Sequence, residues 1–234
     1  MSRRLAHTLY GAPRPPPSRL AAFCRHALTA LRDPTQADDV AAVGELTGLL
    51  TLQRLSQTLQ EHPVGRQILQ DKPLVTQATV EPLLQDCPPD SFGAAYSAFL
   101  DHHGFDPDER SPNVYLDSDS DESYVLLRYR QSHDFAHVLT GLPPTVLGEL
   151  ALKWLELVQT GLPLAALSGT VGSLRLGVEE QRRLWKECVP WALQHRHLPY
   201  GSLLCVYYER QFHTPLGELR KRLGVVPAPD LPRE

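Results

Sequence analysis

His133-Asp134-Phe135-Ala136-His137-Val138-Leu139-Thr140, the turn Gly141-Leu142-Pro143-Pro144, and Thr145-Val146-Leu147-Gly148-Glu149 form the stretch whose reading decides the fold. On a helix, two imidazoles four residues apart stand one above the other on the same face, so both reach one ion. Asp134 is rotated about 100° from His133 and about 60° from His137, which brings its carboxylate to the same edge. Leu126, Tyr129, Ala136 and Thr140 share the histidines' stripe, which therefore faces the interior, where unpaired polar groups are costly and metal ligation satisfies them. Gly141 supplies a C-cap and the two prolines cannot continue the hydrogen-bond ladder, so the chain turns back. Thr145 is expected to cap the next helix, with Glu149 one turn into it and over His137. The expectation is one divalent metal ion held by His133, Asp134, His137 and Glu149 between two antiparallel helices. A plainer reading stays open. Glu149 shares a polar stripe with Thr145, Lys153 and Glu156 and could pair with Lys153 at i+4, and the two imidazoles could be satisfied without a metal.

Working outward, the pattern is helical almost everywhere. Arg19 to Leu31 carries Leu20, Phe23, Ala27 and Leu31 at helical spacing, and Asp33-Pro34 closes it. Ala37 to Gln60 reads as a helical pair interrupted near Gly48, followed by a short helix near Gly65 to Gln70 and a proline-punctuated stretch to Asp90. Ser91 is expected to cap a helix bearing Ala94, Tyr96, Phe99 and Leu100. Gly104 to Glu122 is polar and reads as an exposed loop. Helices are then expected over Ser123 to Thr140, Thr145 to Thr160, Glu179 to His195, Gly201 to Phe212 and Leu216 to Leu223. Strand signals are scarce, so the expected architecture is all-α, a single-domain helical bundle. Its parts are a basic arm over 1–17, a helical metal-binding domain over 18–225 and a flexible tail over 226–234.

The 234 residues, 42% hydrophobic, suffice for a sizeable core. A formal net charge of −4 lacks the basic field that non-specific nucleic-acid binding needs, so no nucleic-acid partner is expected. Cys24, Cys87, Cys188 and Cys205 lie far apart without a CxxC pair, indicating neither zinc ribbon nor disulfide framework. No apolar run approaches the roughly 20 residues of a membrane-spanning helix. Arg3, Arg4, Arg14, Arg19, Arg25 and Arg32 all precede the first acidic residue, Asp33, a bias that organelle import uses and that a plain basic arm would also show.

These residues resemble a known family, the fourth Coq protein of coenzyme Q (ubiquinone) biosynthesis. Its signature, HDxxH followed by eleven residues and a glutamate, fits His133 to Glu149 without a gap. Further likenesses are Arg128-Tyr129-Arg130, Gly148 to Trp154, Gln159 to Pro163, Tyr207 to Arg210 and Gly44 to Gly48. Together they cover about Leu9 to Val225. Departures are a second proline in Leu142-Pro143-Pro144-Thr145, and Ala12-Pro13 after Tyr10-Gly11, where the family has a histidine. The resemblance implies His133, Asp134, His137 and Glu149 as metal ligands, with Zn2+ the usual assignment. It further implies a peripheral position on the matrix side of the mitochondrial inner membrane, partnership with other coenzyme Q biosynthesis proteins, and room for a homodimer. The implied activity is removal of the C1 carboxylate from a 4-hydroxy-3-methoxy-5-polyprenylbenzoate lipid, and an older view of the family is a scaffold that presents lipid intermediates.

Two histidines with two carboxylates suit zinc and also resemble ligand sets for Fe2+ or Mn2+. Direct loss of carbon dioxide would leave an aryl anion in the ring plane, so a route through the para phenolate, pushing electron density onto C1, is expected. A lipid tail needs an apolar surface, for which Arg19 to Leu31 and Leu162 to Leu176 are the candidates. Metallohydrolase chemistry fits less well: the HExxH protease base would here be an aspartate, one methylene shorter, and the partner residues of an HD-type phosphohydrolase are not recognisable.

Overall fold

A computed structural model describes residues 18–32, 37–109 and 115–232; the basic arm over 1–17 and the Asp33-Pro34 step lie outside them. Among the described residues the elements are α-helical, with short 3-10 and π turns and no strand. In chain order the helices are α1 (Arg19–Arg32), α2 (Ala37–Thr47), α3 (Leu49–Glu61), α4 (Pro63–Asp71), α5 (Gln77–Leu84), α6 (Phe92–His103), α7 (Asp121–Gln131), α8 (His133–Thr140), α9 (Val146–Thr160), α10 (Pro163–Val171), α11 (Val178–Arg183), α12 (Val189–Gln194) and α13 (Leu216–Leu223). A π turn over Leu184–Cys188 joins α11 to α12. The all-α expectation is met, and most boundaries fall where capping residues and prolines place them.

The core is organised around α8. Phe135, inside the His133 to His137 stretch, is fully buried and packs on Tyr96 at 4.6 Å, Tyr208 at 4.8 Å and Phe92 at 5.6 Å between ring centroids. Val138 and Leu139 enlarge the same cluster, so one side of α8 holds the hydrophobic core while the other carries the imidazoles. Helix α9 buries Leu147, Ala151, Leu152 and Leu155 against Leu184, Ala192 and their neighbours, and packs on α10 and α12. These two burials fix the relative positions of α8 and α9 from opposite sides.

Three expectations are corrected. The single helix over Ser123 to Thr140 is two, because Ser132 takes φ −85° and ψ 0° and its hydroxyl donates back to the Tyr129 carbonyl at 3.2 Å. The proline-punctuated stretch contains α5, started by a reciprocal pair in which Thr76 Oγ1 accepts from the Thr79 N–H and Thr79 Oγ1 from the Thr76 N–H. The helix expected over Gly201 to Phe212 is an irregular strap with two 3-10 turns. Its backbone is claimed by tertiary partners: the fully buried Arg128 guanidinium pairs with the Glu209 carboxylate and donates to the Val206 carbonyl at 3.1 Å. Within the segment 226–232, Leu231 is buried and the Ala228 N–H donates to the Thr140 carbonyl at 2.8 Å.

Removing one member of a buried ion pair strands the other charge. Glu209→Ala is therefore expected to cost about 3–5 kcal/mol of unfolding free energy in urea denaturation. A loss below about 1 kcal/mol, the range of an exposed pair, would contradict the role given to Arg128.

Candidate metal centre

Gly141 ends α8 in the left-handed conformation, φ +75°, with its N–H on the His137 carbonyl at 2.8 Å. Thr145 caps α9 by accepting from the Gly148 N–H at 3.3 Å. The turn is so tight that a Cβ on Gly148 would come within 1.9 Å of the Pro143 carbonyl oxygen. Only glycine fits there, and the next residue is Glu149. Contacts across the two helices run antiparallel: His137 near the end of α8 meets Glu149 at the start of α9, and His133 meets Glu156 seven residues further on.

Three ligand-type side chains converge. Glu149 Oε1 lies 3.0 Å from His137 Nε2 and its Oε2 3.1 Å from His133 Nε2, and the two Nε2 atoms stand 3.3 Å apart. His133, His137 and Glu149 form a group able to hold a metal ion. Asp134, the fourth expected ligand, is buried and stands outside this group, with a partner of its own.

The outward nitrogens explain the inward ones. His133 Nδ1 lies 2.7 Å from Glu156 Oε1 and His137 Nδ1 lies 3.0 Å from the Leu142 carbonyl, both pure acceptors, so each neutral ring carries its proton on Nδ1. Both Nε2 lone pairs then face each other across 3.3 Å, an arrangement that repels unless a cation, either a proton or a metal ion, lies among them. A histidine ligand oriented through its other nitrogen by a carboxylate or carbonyl is the usual architecture around a protein-bound metal. The donor set therefore fits a divalent ion.

Sequence reasoning named Glu156 only as a member of a polar stripe and Lys153 as a possible i+4 partner of Glu149. Lys153 pairs with Glu156 Oε2 at 2.7 Å, and the Tyr129 hydroxyl donates to the same oxygen at 2.6 Å, leaving Oε1 to His133. The available signal was spacing, since Glu156 stands seven residues after Glu149 and hence on the same face of α9. Charge follows geometry. Burial and Lys153 push His133 down, yet the Glu149 and Glu156 carboxylates outweigh them and raise it to about 9. Burial alone would raise both glutamates; His133 and His137 hold Glu149 well below the usual carboxylate range, and Lys153 with His133 brings Glu156 to about 2.

The pattern of the family described as coenzyme Q (ubiquinone) biosynthesis protein Coq4 matches residues 12–229. The chain belongs to the Coq4 family. Among its relatives, the bovine ubiquinone biosynthesis protein COQ4 homolog, mitochondrial, is 43% identical over 86% of this chain and 75% of its own length. The COQ4 protein of the fungus Arthroderma otae, also named mitochondrial, is 39% identical over 99% of this chain and 86% of its own. The fold is shared with a crystal structure from Nostoc punctiforme, described as a ubiquinone biosynthesis protein, at a TM-score of 0.67 and 20% identity, covering 88% of this chain and 96% of that one. Coq4 proteins take part in ubiquinone biosynthesis, so this chain's place in that process follows from its family.

A metal ion must displace the His133 proton. In the metal-free protein that proton's contribution to stability is fully present below the ordinary histidine value of 6.5 and is lost as pH rises through about 9. Apparent Zn2+ affinity, measured by competition with a chromophoric chelator, is expected to rise about tenfold per pH unit between pH 7 and pH 9. Glu156→Gln is expected to weaken it about 10- to 100-fold at fixed pH. Affinity independent of both would contradict the arrangement.

Proposed function

We propose that His133, His137 and Glu149 hold one divalent metal ion, Zn2+ in the first instance with Fe2+ or Mn2+ as alternatives, and that the protein is a decarboxylase acting on 4-hydroxy-3-methoxy-5-polyprenylbenzoate. The product is 2-methoxy-6-polyprenylphenol, or its C1-hydroxylated counterpart if oxygen rather than a proton is added at C1. The observation that carries this reading is the pair of Nε2 atoms turned toward one carboxylate while both Nδ1 protons are engaged behind them. The family's place in ubiquinone biosynthesis, whose intermediates are substituted benzenoids, supplies the substrate class.

When bound, the metal supplies Lewis-acid polarisation of substrate oxygens. The protein's own residues bind and orient. Glu149, with 37% of its side chain exposed, is the open side of the centre, while His137 is 1% exposed and closes its floor. Glu156, held between Lys153, Tyr129 and His133, fixes the ring that would otherwise turn. Asp134, expected as a fourth ligand, is buried and stands outside the convergent group. In the simple route electron density from the para phenolate lets C1 take a proton first, giving a non-aromatic dienone. The carboxylate then leaves as carbon dioxide, its bonding pair returning to the ring to restore the aromatic phenolate.

We place the protein on the matrix side of the mitochondrial inner membrane, among other coenzyme Q biosynthesis proteins, with residues 1–17 serving import. Relatives named mitochondrial support this, as does the observation that no helix among the described residues is long and apolar enough to cross a membrane. The first half of Leu162 to Leu176 is core, with Leu162 and Ala165 buried, whereas Leu174 is 78% exposed and Leu20 on α1 is 70% exposed, leaving those two as lipid-facing candidates.

Purified protein with its metal is expected to release carbon dioxide from the prenylated benzoate, and His133→Ala or Glu149→Ala to abolish release together with stoichiometric metal. Wild-type protein that binds both metal and lipid without turnover would replace this reading with a lipid-presenting scaffold.

A further inference from the structure

Beside the centre lies a cleft of about 560 Å³ with His137 in its wall. Its rings form a series. Phe99 stacks on His137, with centroids 5.4 Å apart and planes 21° from parallel. On its other side Phe99 meets His103 edge-on at 4.9 Å, and His103 in turn meets His102 at 4.6 Å. An aromatic wall thus runs from a ring of the metal centre to a second pair of imidazoles, both of which line the cleft. Pro143 and Pro144 also line it, so the second proline that departs from the family's turn borders this space. Ala95 and Ala98, three residues apart on one face of α6, keep it open.

The charge of the lining favours an anion. Among the described residues no acidic side chain lines the cleft, Thr145 at its edge is the N-cap of the 15-residue α9, and the positive end of that helix dipole faces negative groups favourably. His103 is exposed, and desolvation by its neighbours together with His102 and His137 keeps it below the usual histidine value, so its neutral ring has one N–H to donate. Planar apolar walls, imidazole donors at one end and no competing carboxylate match an aromatic acid better than a neutral lipid or a cation.

We propose that this cleft receives the head group of a benzoic acid, its ring along Phe99 and the Pro143-Pro144 turn and its carboxylate held by His102 and His103. This deepens the decarboxylase reading and rests on it for the choice of ligand, yet it is tested without turnover. The probes are 4-hydroxy-3-methoxybenzoate and 2-methoxyphenol, which differ by the carboxylate, titrated calorimetrically into the metal-loaded protein. Wild type is expected to bind the acid at least about tenfold tighter than the phenol, the range of a hydrogen bond to a charged group. The His102→Ala/His103→Ala double variant is expected to lose most of that preference with unchanged metal content. Ala98→Phe, at an exposed position, is expected to weaken both probes by filling the cleft. An acid preference that survives in the double variant, or undiminished binding to Ala98→Phe, overturns the proposal. Probe binding as expected in a protein that releases no carbon dioxide would sink the decarboxylase reading and leave the cleft assignment standing.

Discussion

Each imidazole of the centre is fixed through the nitrogen that points away from it. Glu156 accepts a hydrogen bond from His133 Nδ1–H and the Leu142 carbonyl accepts one from His137 Nδ1–H, and this leaves two lone pairs and the Glu149 carboxylate around one small volume. The constraint is electrostatic before it is functional. Without a positive charge in that volume the two Nε2 atoms, 3.3 Å apart, oppose each other, and the half-exposed Glu149 carboxylate and the buried Glu156 carboxylate lack full compensation. A proton on His133 satisfies the arrangement in part, which is why that ring is raised to about 9. A divalent ion satisfies it more completely.

The rest of the fold serves this constraint. Phe135 anchors α8 in the aromatic core from within the histidine pair, so the helix cannot rotate the imidazoles away without exposing a fully buried ring. Truncating such a ring costs about 3–5 kcal/mol, a large part of a domain's net stability. The Gly141 to Gly148 turn sets the depth of Glu149, with Pro143 pressed where any side chain on residue 148 would stand. The buried Arg128 and Glu209 pair straps the irregular Val206 to Arg210 segment across α7, one turn from Ser132 and the start of α8. Structure and site therefore share residues, and stability is spent holding polar groups in place.

The fold class and the convergence of His133, His137 and Glu149 were legible in the sequence because each depended on local rules: helical spacing, a glycine and proline stop, and a threonine cap. What was not legible depended on tertiary partners. Gly201 to Phe212 has helical periodicity, but its Val206 carbonyl and Glu209 side chain are claimed by Arg128, whose burial no local pattern announces. The break at Ser132 turns on one hydroxyl choosing a backbone acceptor. The ambiguity of Glu149 was settled by distance: Lys153 turned toward Glu156 at i+3, leaving Glu149 to the histidines. Asp134 has the right chemistry at the right spacing, yet a helix of this orientation buries it beside the group rather than in it.

The most direct test of the central claim is anomalous diffraction from crystals of the protein purified without added metal, collected on both sides of the absorption edge of the metal found in it. A single peak at bonding distance, about 2.0–2.1 Å from an imidazole nitrogen, to His133 Nε2 and His137 Nε2 and adjacent to the Glu149 carboxylate, is the expected result. A metal peak elsewhere on the molecule, with the two imidazoles bonded only to protein and water, would contradict it.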